Sequence, residues 1–587
     1  MQIQRSLILA FTAAITVATL GARGAAAQSR PPAACSRPAL GATVPEPEDL
    51  RSQDGVLRVD VSYRNEVDAN GSMRYCYVFG DGSESPNLRV HPGDLLMLDL
   101  KNELSPSTAA TPMPAHTSAE ADPCTSGMMT AASTNLHLHG LNIPPVCHQD
   151  DVLKTSVQPG DPPFQYRVRI PANQPPGLYW YHPHLHGFTK AQVLGGASGA
   201  LIVEGIERAN KELSGMPERV LVIRDQDLLN PNAPPNPGAE APPVVLDSDG
   251  DVMNTGTGTG KPAKDLSVNF VPVPYPNYEP ATIRIKPRQR QLWRVLNASA
   301  ITYLNLQILF KGTPQWMAVV ALDGIPLNYN GRGGGGVAWQ THVGIAPGGR
   351  AEFVITAPGE GVATLETLSV DTGSGGENDP VRPLANIVVS ADAPEPRSKL
   401  SISPEPMPRP NLPWLGDVTP VRTRKLYFSE VLRDPKNPNS PTTFFITVDG
   451  QQPAPFDPNS SIPNIVAHQG DVEDWIIENR SLELHAFHIH QLHFLLLERF
   501  GSPANEPFLR DTINIPFWDG KTSRFPSVKL RMDFRDPNTI GLFPYHCHLL
   551  EHEDGGMMGL IRVEPQGEPP VENLPGKSSG ATAPKRK

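Results

Sequence analysis

Short apolar runs recur along the chain, each closed by Gly, Pro, Asn or Asp. The clearest are 165–170, 201–204, 220–224, 282–285, 291–296, 352–356 and 560–563. Runs of this length, rich in β-branched and aromatic residues and bounded by turn formers, predict strands of β-sandwiches or barrels. The first apolar run differs. Residues 7–20 follow Arg5 and lead to Ala25-Ala26-Ala27, which reads as a secretory signal peptide over 1–27 with cleavage before Gln28. No later stretch has 18 consecutive apolar residues, so no membrane insertion is expected. The segment 567–587 is polar and Pro/Gly-rich, the composition of a disordered tail.

One pattern occurs twice. Gly177-Leu-Tyr-Trp-Tyr-His-Pro-His is followed by an apolar run from Gly199, and Gly541-Leu-Phe-Pro-Tyr-His-Cys-His by one from Gly559. Both read Gly-Leu-x-x-Tyr-His-x-His, the mark of duplicated domains. The middle third keeps the strand-and-turn style with almost no histidine.

Composition narrows the class. Pro 65 and Gly 50 among 587 residues, with only 19% charged residues, exclude a coiled coil or a mostly helical protein. A net charge of −11 without a Lys/Arg-rich stripe excludes a nucleic-acid partner, because phosphate binding needs clustered cations. Cys35, Cys76, Cys124 and Cys147 can form two disulfides in three connectivities, as suits an oxidising compartment, either extracellular or periplasmic. Cys547 stands apart between His546 and His548 and reads as a metal-bound thiolate.

Ten of the 17 histidines fall in four clusters: His137 with His139, His182 with His184, His485 with His488 and His490, and His546 with His548 and His552. Residues i and i+2 of a strand share a face, so four pairs present eight imidazoles side by side. A structural zinc takes four ligands, so eight imidazoles point to a multinuclear transition-metal site. Cys547 faces the other way from its two neighbours. His485, three residues before His488, does the same, and His552 can fold back over the thiolate. Two imidazoles, a thiolate and the thioether of Met557 are the ligand set of a blue-copper electron-transfer centre. An electron arriving there has a short covalent path through His546 or His548 into the cluster. Dioxygen, which takes up four electrons to become water, is the natural acceptor.

The segments His137-Leu-His139-Gly, Tyr179-Trp-Tyr-His182-Pro-His184-Leu-His186-Gly, His485-Ala-Phe-His488-Ile-His490 and His546-Cys547-His548-Leu-Leu-Glu-His552-Glu-Asp-Gly-Gly-Met557 resemble the four copper signatures of the multicopper oxidases, the laccase-like family. The resemblance implies an all-β fold of three cupredoxin-like Greek-key sandwich or barrel domains. The boundaries expected are 28–210, 211–391 and 414–566, with a Pro-rich linker over 392–413; the middle domain lacks copper ligands. It also implies four coppers per chain. Type 1 copper would be held by His485, Cys547, His552 and axial Met557, and type 2 by His137 and His488. The type 3 pair would take His139, His182, His184, His490, His546 and His548. Asp150, favoured over Asp151, and Glu553 match family acids that supply protons. His186 and His493 have no ligand role in the family pattern, and His148 is a candidate behind the ligands.

The expected partners are dioxygen and a small reductant, and a monomer is expected. The reductant should dock where an edge of His485 or His552 reaches solvent. Family cuprous oxidases carry a Met-rich insert in the third domain, whereas 400–480 here contains only Met407. Phenols and aromatic amines are therefore the default substrates. A smaller soft-donor group, Met113, His116, Met128 and Met129, lies in a Ser/Ala/Thr-rich insertion before the first cluster. The alternatives are a Cu(I), Fe(II) or Mn(II) oxidase in copper tolerance, and a non-enzymatic copper-binding protein. A hydrolytic zinc enzyme would have no use for Cys547.

Overall fold

The computed structural model describes residues 35–105, 123–125, 129–234, 244–329, 336–402, 412–434, 436–437 and 440–567. The expected signal peptide, Met113, His116, Met128, Met407 and the tail beyond 567 lie outside them. Each predicted run matches a strand to within one residue at its end: Phe164–Arg169, Gly199–Val203, Pro217–Gln226, Ala281–Ile285, Arg290–Asn297, Arg350–Thr356 and Met558–Glu564. Phe164–Arg169 alternates buried and exposed residues, so one face meets water. Gly199–Val203 is buried throughout, which explains its continuous apolar run.

Among the described residues the strands form six sheets that pack as three pairs, each pair around one core. A four-stranded and a five-stranded sheet between residues 49 and 203 enclose Tyr63, Leu98, Tyr181 and Leu201. A nine-stranded and a six-stranded sheet between 217 and 399 enclose Trp293, Phe353, Leu306 and Ile387. A seven-stranded and a five-stranded sheet between 422 and 564 enclose Trp475, Phe487, Tyr545 and Ile561. The architecture is all-β and cupredoxin-like. Ser398–Lys399 pairs with Pro217 and Glu218, so the stretch expected as a linker begins as an edge of the middle group. Among the described residues, no helix is long and apolar enough to cross a membrane.

The repeat seen in the sequence is a repeat of topology. In the first group, Gly177–His182 lies between His137–His139 and Gly199–Val203, both antiparallel to it. In the third group, Gly541–Cys547 lies in the same way between His485–Ile489 and Met558–Glu564. Each outer neighbour then pairs with a parallel strand, Asn87–Val90 in one copy and Ile465–His468 in the other.

Buried polar contacts fasten the groups together. Glu218 accepts from Arg89 and Arg294 at 2.7 Å each, and Glu352 accepts from Arg294 and from the Leu178 amide. Asp554 accepts the amides of Gly187, Thr189 and Lys190, and so caps the helix Thr189–Leu194 from the opposite group. Of the three disulfide connectivities, the structure forms Cys35–Cys76 and Cys124–Cys147; Cys547 is free and buried. The Cys124–Cys147 bridge closes a separation of 23 residues. Replacing both cysteines with alanine should lower unfolding stability by about 3 kcal/mol, read from urea denaturation.

Candidate metal centre

Four strand ends converge between the first and third groups. Antiparallel pairing sets His137 opposite His182 and His488 opposite His546. The second histidine of three pairs, His184, His490 and His548, lies just past its strand end. The two groups interleave their rings. His137 stacks on His490 at 4.0 Å and His139 on His488 at 3.9 Å, while His546 Nε2 lies 3.5 Å from His184 Nε2 and 3.2 Å from His490 Nε2. All eight rings are buried.

The donor chemistry fits cations. Nδ1–H of His182 donates to Pro183 O, that of His546 to Cys547 O and that of His488 to Asp511 O, at 2.8–2.9 Å. This fixes the tautomer and leaves the Nε2 lone pair facing inward. Among the described residues, Nε2 of His137, His182 and His488, Nδ1 of His139 and His490, and both ring nitrogens of His548 find no hydrogen-bond partner. Each such buried orphan costs roughly 1–3 kcal/mol unless something satisfies it. Burial, reinforced by neighbouring charges, holds His139, His182, His184, His488, His490 and His548 far below the usual imidazole range. Burial takes His546 down to about 3. These rings are neutral and free to ligate.

A second cluster sits on the far side of the same strand. Cys547 Sγ lies 3.6 Å from His485 Nδ1 and 3.8 Å from His552 Nδ1, and these two nitrogens are 3.2 Å apart. Met557 is buried in the same core, and its carbonyl accepts the Cys547 amide at 3.1 Å. Burial pushes the Cys547 thiol well above its usual range, so a cation binding there must displace the proton.

The expected solvent-facing edge of His485 or His552 is not found. Both rings are buried, because a hairpin lies across them. In it, Arg422–Leu432 pairs with Thr442–Val448 and places Glu430 opposite Phe444. Glu430 Oε1 lies 3.0 Å and Ser481 Oγ 2.8 Å from His485 Nε2. Glu483 Oε1 lies 3.2 Å from His552 Nε2, and Phe444 stacks on the His552 ring at 4.2 Å. Glu377 sits against Glu483, and burial, then neighbouring carboxyls, push both acids well above the carboxylate range.

The expected proton donors are placed as follows. Asp150 is buried and accepts from His137 Nδ1 at 2.9 Å, from the Leu138 amide at 3.1 Å and from Gln491 Nε2 at 2.6 Å. Asp151 is only half-buried. Glu553 lies 3.2 Å from His546 Nδ1 and 3.6 Å from His184 Nε2. Burial, with Asp554 beside it, pushes its carboxyl well above the usual range. His148 is no support for the ligands: it is exposed, stacks on Phe164 and bonds Gln165 O. His186 packs on Phe456. His493 bonds Asp323 O and lies 3.5 Å from Asp511.

Asp511 escaped the sequence reading. It lies 3.4 Å from His139 Nε2 and receives a bidentate pair of bonds from Arg350 at 2.7 and 2.6 Å, all fully buried. Arg350 belongs to the middle group, which also presses Gly348 onto the pocket. A Cβ at Gly348 would meet the His548 ring at 2.7 Å, and one at Gly140 would collide with the Arg350 guanidinium. Both glycines have positive φ, which other residues adopt at a cost.

Family models described as multicopper oxidase match residues 128–208 and 431–567. The multicopper oxidase mco of Staphylococcus haemolyticus is 24% identical over 438 residues, 73% of this chain and 77% of that protein. A laccase of Haloferax volcanii is 25% identical over 509 residues, 82% of this chain and 77% of that protein. The solved structure of a Campylobacter jejuni multicopper oxidase, described as a metallo-oxidase, superposes with a TM-score of 0.59 at 22% identity, over 90% of this chain and 96% of that one. Two stretches that bracket the converging histidines thus match models of the multicopper oxidase family, whose name implies copper. Asp511→Ala should cost about 3–5 kcal/mol of unfolding stability, because it strands the buried Arg350 charge. Thermal unfolding of the purified variant measures this.

Proposed function

We propose that this chain couples one-electron oxidation of a small reductant, a phenol or aromatic amine, to four-electron reduction of dioxygen to water. With ArOH as donor, 4 ArOH + O2 gives 4 ArO• + 2 H2O. His485, Cys547, His552 and axial Met557 would hold type 1 copper. His137 and His488 would hold type 2, and His139, His182, His184, His490, His546 and His548 the type 3 pair. The observation that carries this reading is the placement of Cys547 Sγ within 3.6–3.8 Å of two imidazoles, while both its chain neighbours face the eight-imidazole pocket. Copper, when bound, takes electrons one at a time at the thiolate and gathers them where dioxygen is reduced.

The protein's own groups supply the rest. The Cys547 backbone links the donor side to His546 and His548. Asp150 orients His137 and, through Gln491 and the Leu138 amide, holds a carboxylate beside the pocket. Glu553 carries a proton next to His184 and His546 and serves as the donor to reduced oxygen. Two disulfides and the leader-like first 27 residues support export to the periplasm or the medium. We take the working unit to be a monomer.

A second reading, oxidation of Cu(I), Fe(II) or Mn(II), is favoured by Glu430, Glu483 and Glu377 around the outer nitrogens of His485 and His552. The metallo-oxidase description of the Campylobacter jejuni protein adds to it. Oxygen uptake with 2,6-dimethoxyphenol, ferrous and cuprous salts on fully loaded protein separates the two.

Metal analysis of that material should return four coppers per chain, and Cys547→Ser should abolish both the intense blue absorption and turnover. Asp150→Asn should slow reoxidation of the reduced enzyme by dioxygen about 10- to 100-fold, because it removes the carboxylate that orients His137. Its blue absorption should stay intact; loss of the colour would make Asp150 structural.

A further inference from the structure

We infer that the reductant sits in a cavity walled by Phe444, and that the Phe444 ring is the contact through which it reduces the Cys547 site. The inference rests on the oxidase reading above and adds its docking site. Neither His485 nor His552 reaches solvent, so a donor from outside must act through a group that covers them. Those groups are Glu430, Ser481, Glu483 and Phe444. Phe444 stacks on His552 with only 20° between the ring planes. Gly555 makes room for this: a Cβ there would come within 2.6 Å of the Phe444 ring.

Phe444 also lines a cavity of about 580 Å³, together with Glu551 and Gly555 from the two sides of His552. It opens at the surface past Met73, Ser248 and Asp249. That volume falls within the roughly 300–1,000 Å³ of small-molecule sites. The charges inside are already paired. Lys190 bonds Asp249 and Glu551 at 2.6 Å each, and Lys264 bonds Asp227 and Asp251 at 2.9 and 2.8 Å. An ionic ligand would have to break these pairs. A flat aromatic ring bearing hydroxyl or amino groups would instead stack on Phe444 and donate to the carboxylate oxygens, so the cavity selects phenols and aromatic amines over bare metal ions.

The step balances. ArOH loses one electron and one proton to become ArO•. The electron crosses Phe444 and His552 and reduces copper(II) to copper(I), and the proton goes to water at the cavity mouth.

Phe444→Leu keeps an apolar plug and removes the π face. In the loaded holoenzyme under argon, 2,6-dimethoxyphenol should bleach the blue absorption about tenfold more slowly than in the parent protein. Calorimetric binding of the same phenol to dithionite-reduced holoenzyme under argon should weaken about fivefold, the size of a lost aromatic pair. Reoxidation by dioxygen should not change, and Phe444→Tyr should restore both measurements. Ser248→Trp, an exposed change at the mouth, should weaken phenol binding as well, and it decides the matter if Phe444→Leu does not load copper. Binding and bleaching within about twofold of the parent protein in the loaded variants would overturn the docking site and leave the oxidase reading standing. A blue parent protein that no phenol bleaches would overturn the oxidase reading itself.

Discussion

The alternation of side chains along one strand is the constraint on which the site depends. Within Gly541–Cys547 and the residue that follows it, His546 and His548 face one way and Cys547 the other. Two clusters of different character therefore share three consecutive residues. The imidazole side is shut off from water and rich in unshared lone pairs, and the sulfur side sets a soft sulfur donor between two imidazoles whose outer nitrogens meet carboxyls. No hinge or loop separates them, so their spacing is as fixed as the peptide itself.

A strand end alone does not make the pocket. Half of its imidazoles come from the first group of sheets, and buried polar contacts hold that group in place. Asp554 reaches over to three amides around the helix Thr189–Leu194. Arg350 spans from the middle group to Asp511 beside His139 and His488. Such ion pairs contribute little net stability because both charges lose their water. Their value here is positional: they fix the histidines of two groups in one register, so that lone pairs meet at a common point.

The sequence was informative wherever chemistry repeats with a local period. Strands announced themselves through apolar runs between turn residues, and the His-x-His spacing put pairs of rings on one face. The duplicated Gly-Leu-x-x-Tyr-His-x-His matched a duplicated sheet order. What stayed hidden depends on tertiary approach. Asp511 and Arg350 are ordinary charged residues until the fold buries them together. Glu430 and Phe444 cover the thiolate site through hairpin register, which no local pattern encodes; that is why an open histidine edge was expected and a closed one found. His148 is near the first cluster in sequence, but a positive φ turns it outward. The cysteine pairing had three arithmetically equal solutions until distance chose one.

The two outer groups repeat one sheet with one telling difference. Where the third group has Cys547 between its paired rings, the first has Pro183 between His182 and His184. A proline there offers neither sulfur nor an amide hydrogen, so the older symmetry ends in a blind terminal. On the function proposed above, current into the pocket has a single lead: the four charges that dioxygen consumes would queue through Cys547 in series, and the pocket would store the early ones until the last arrives.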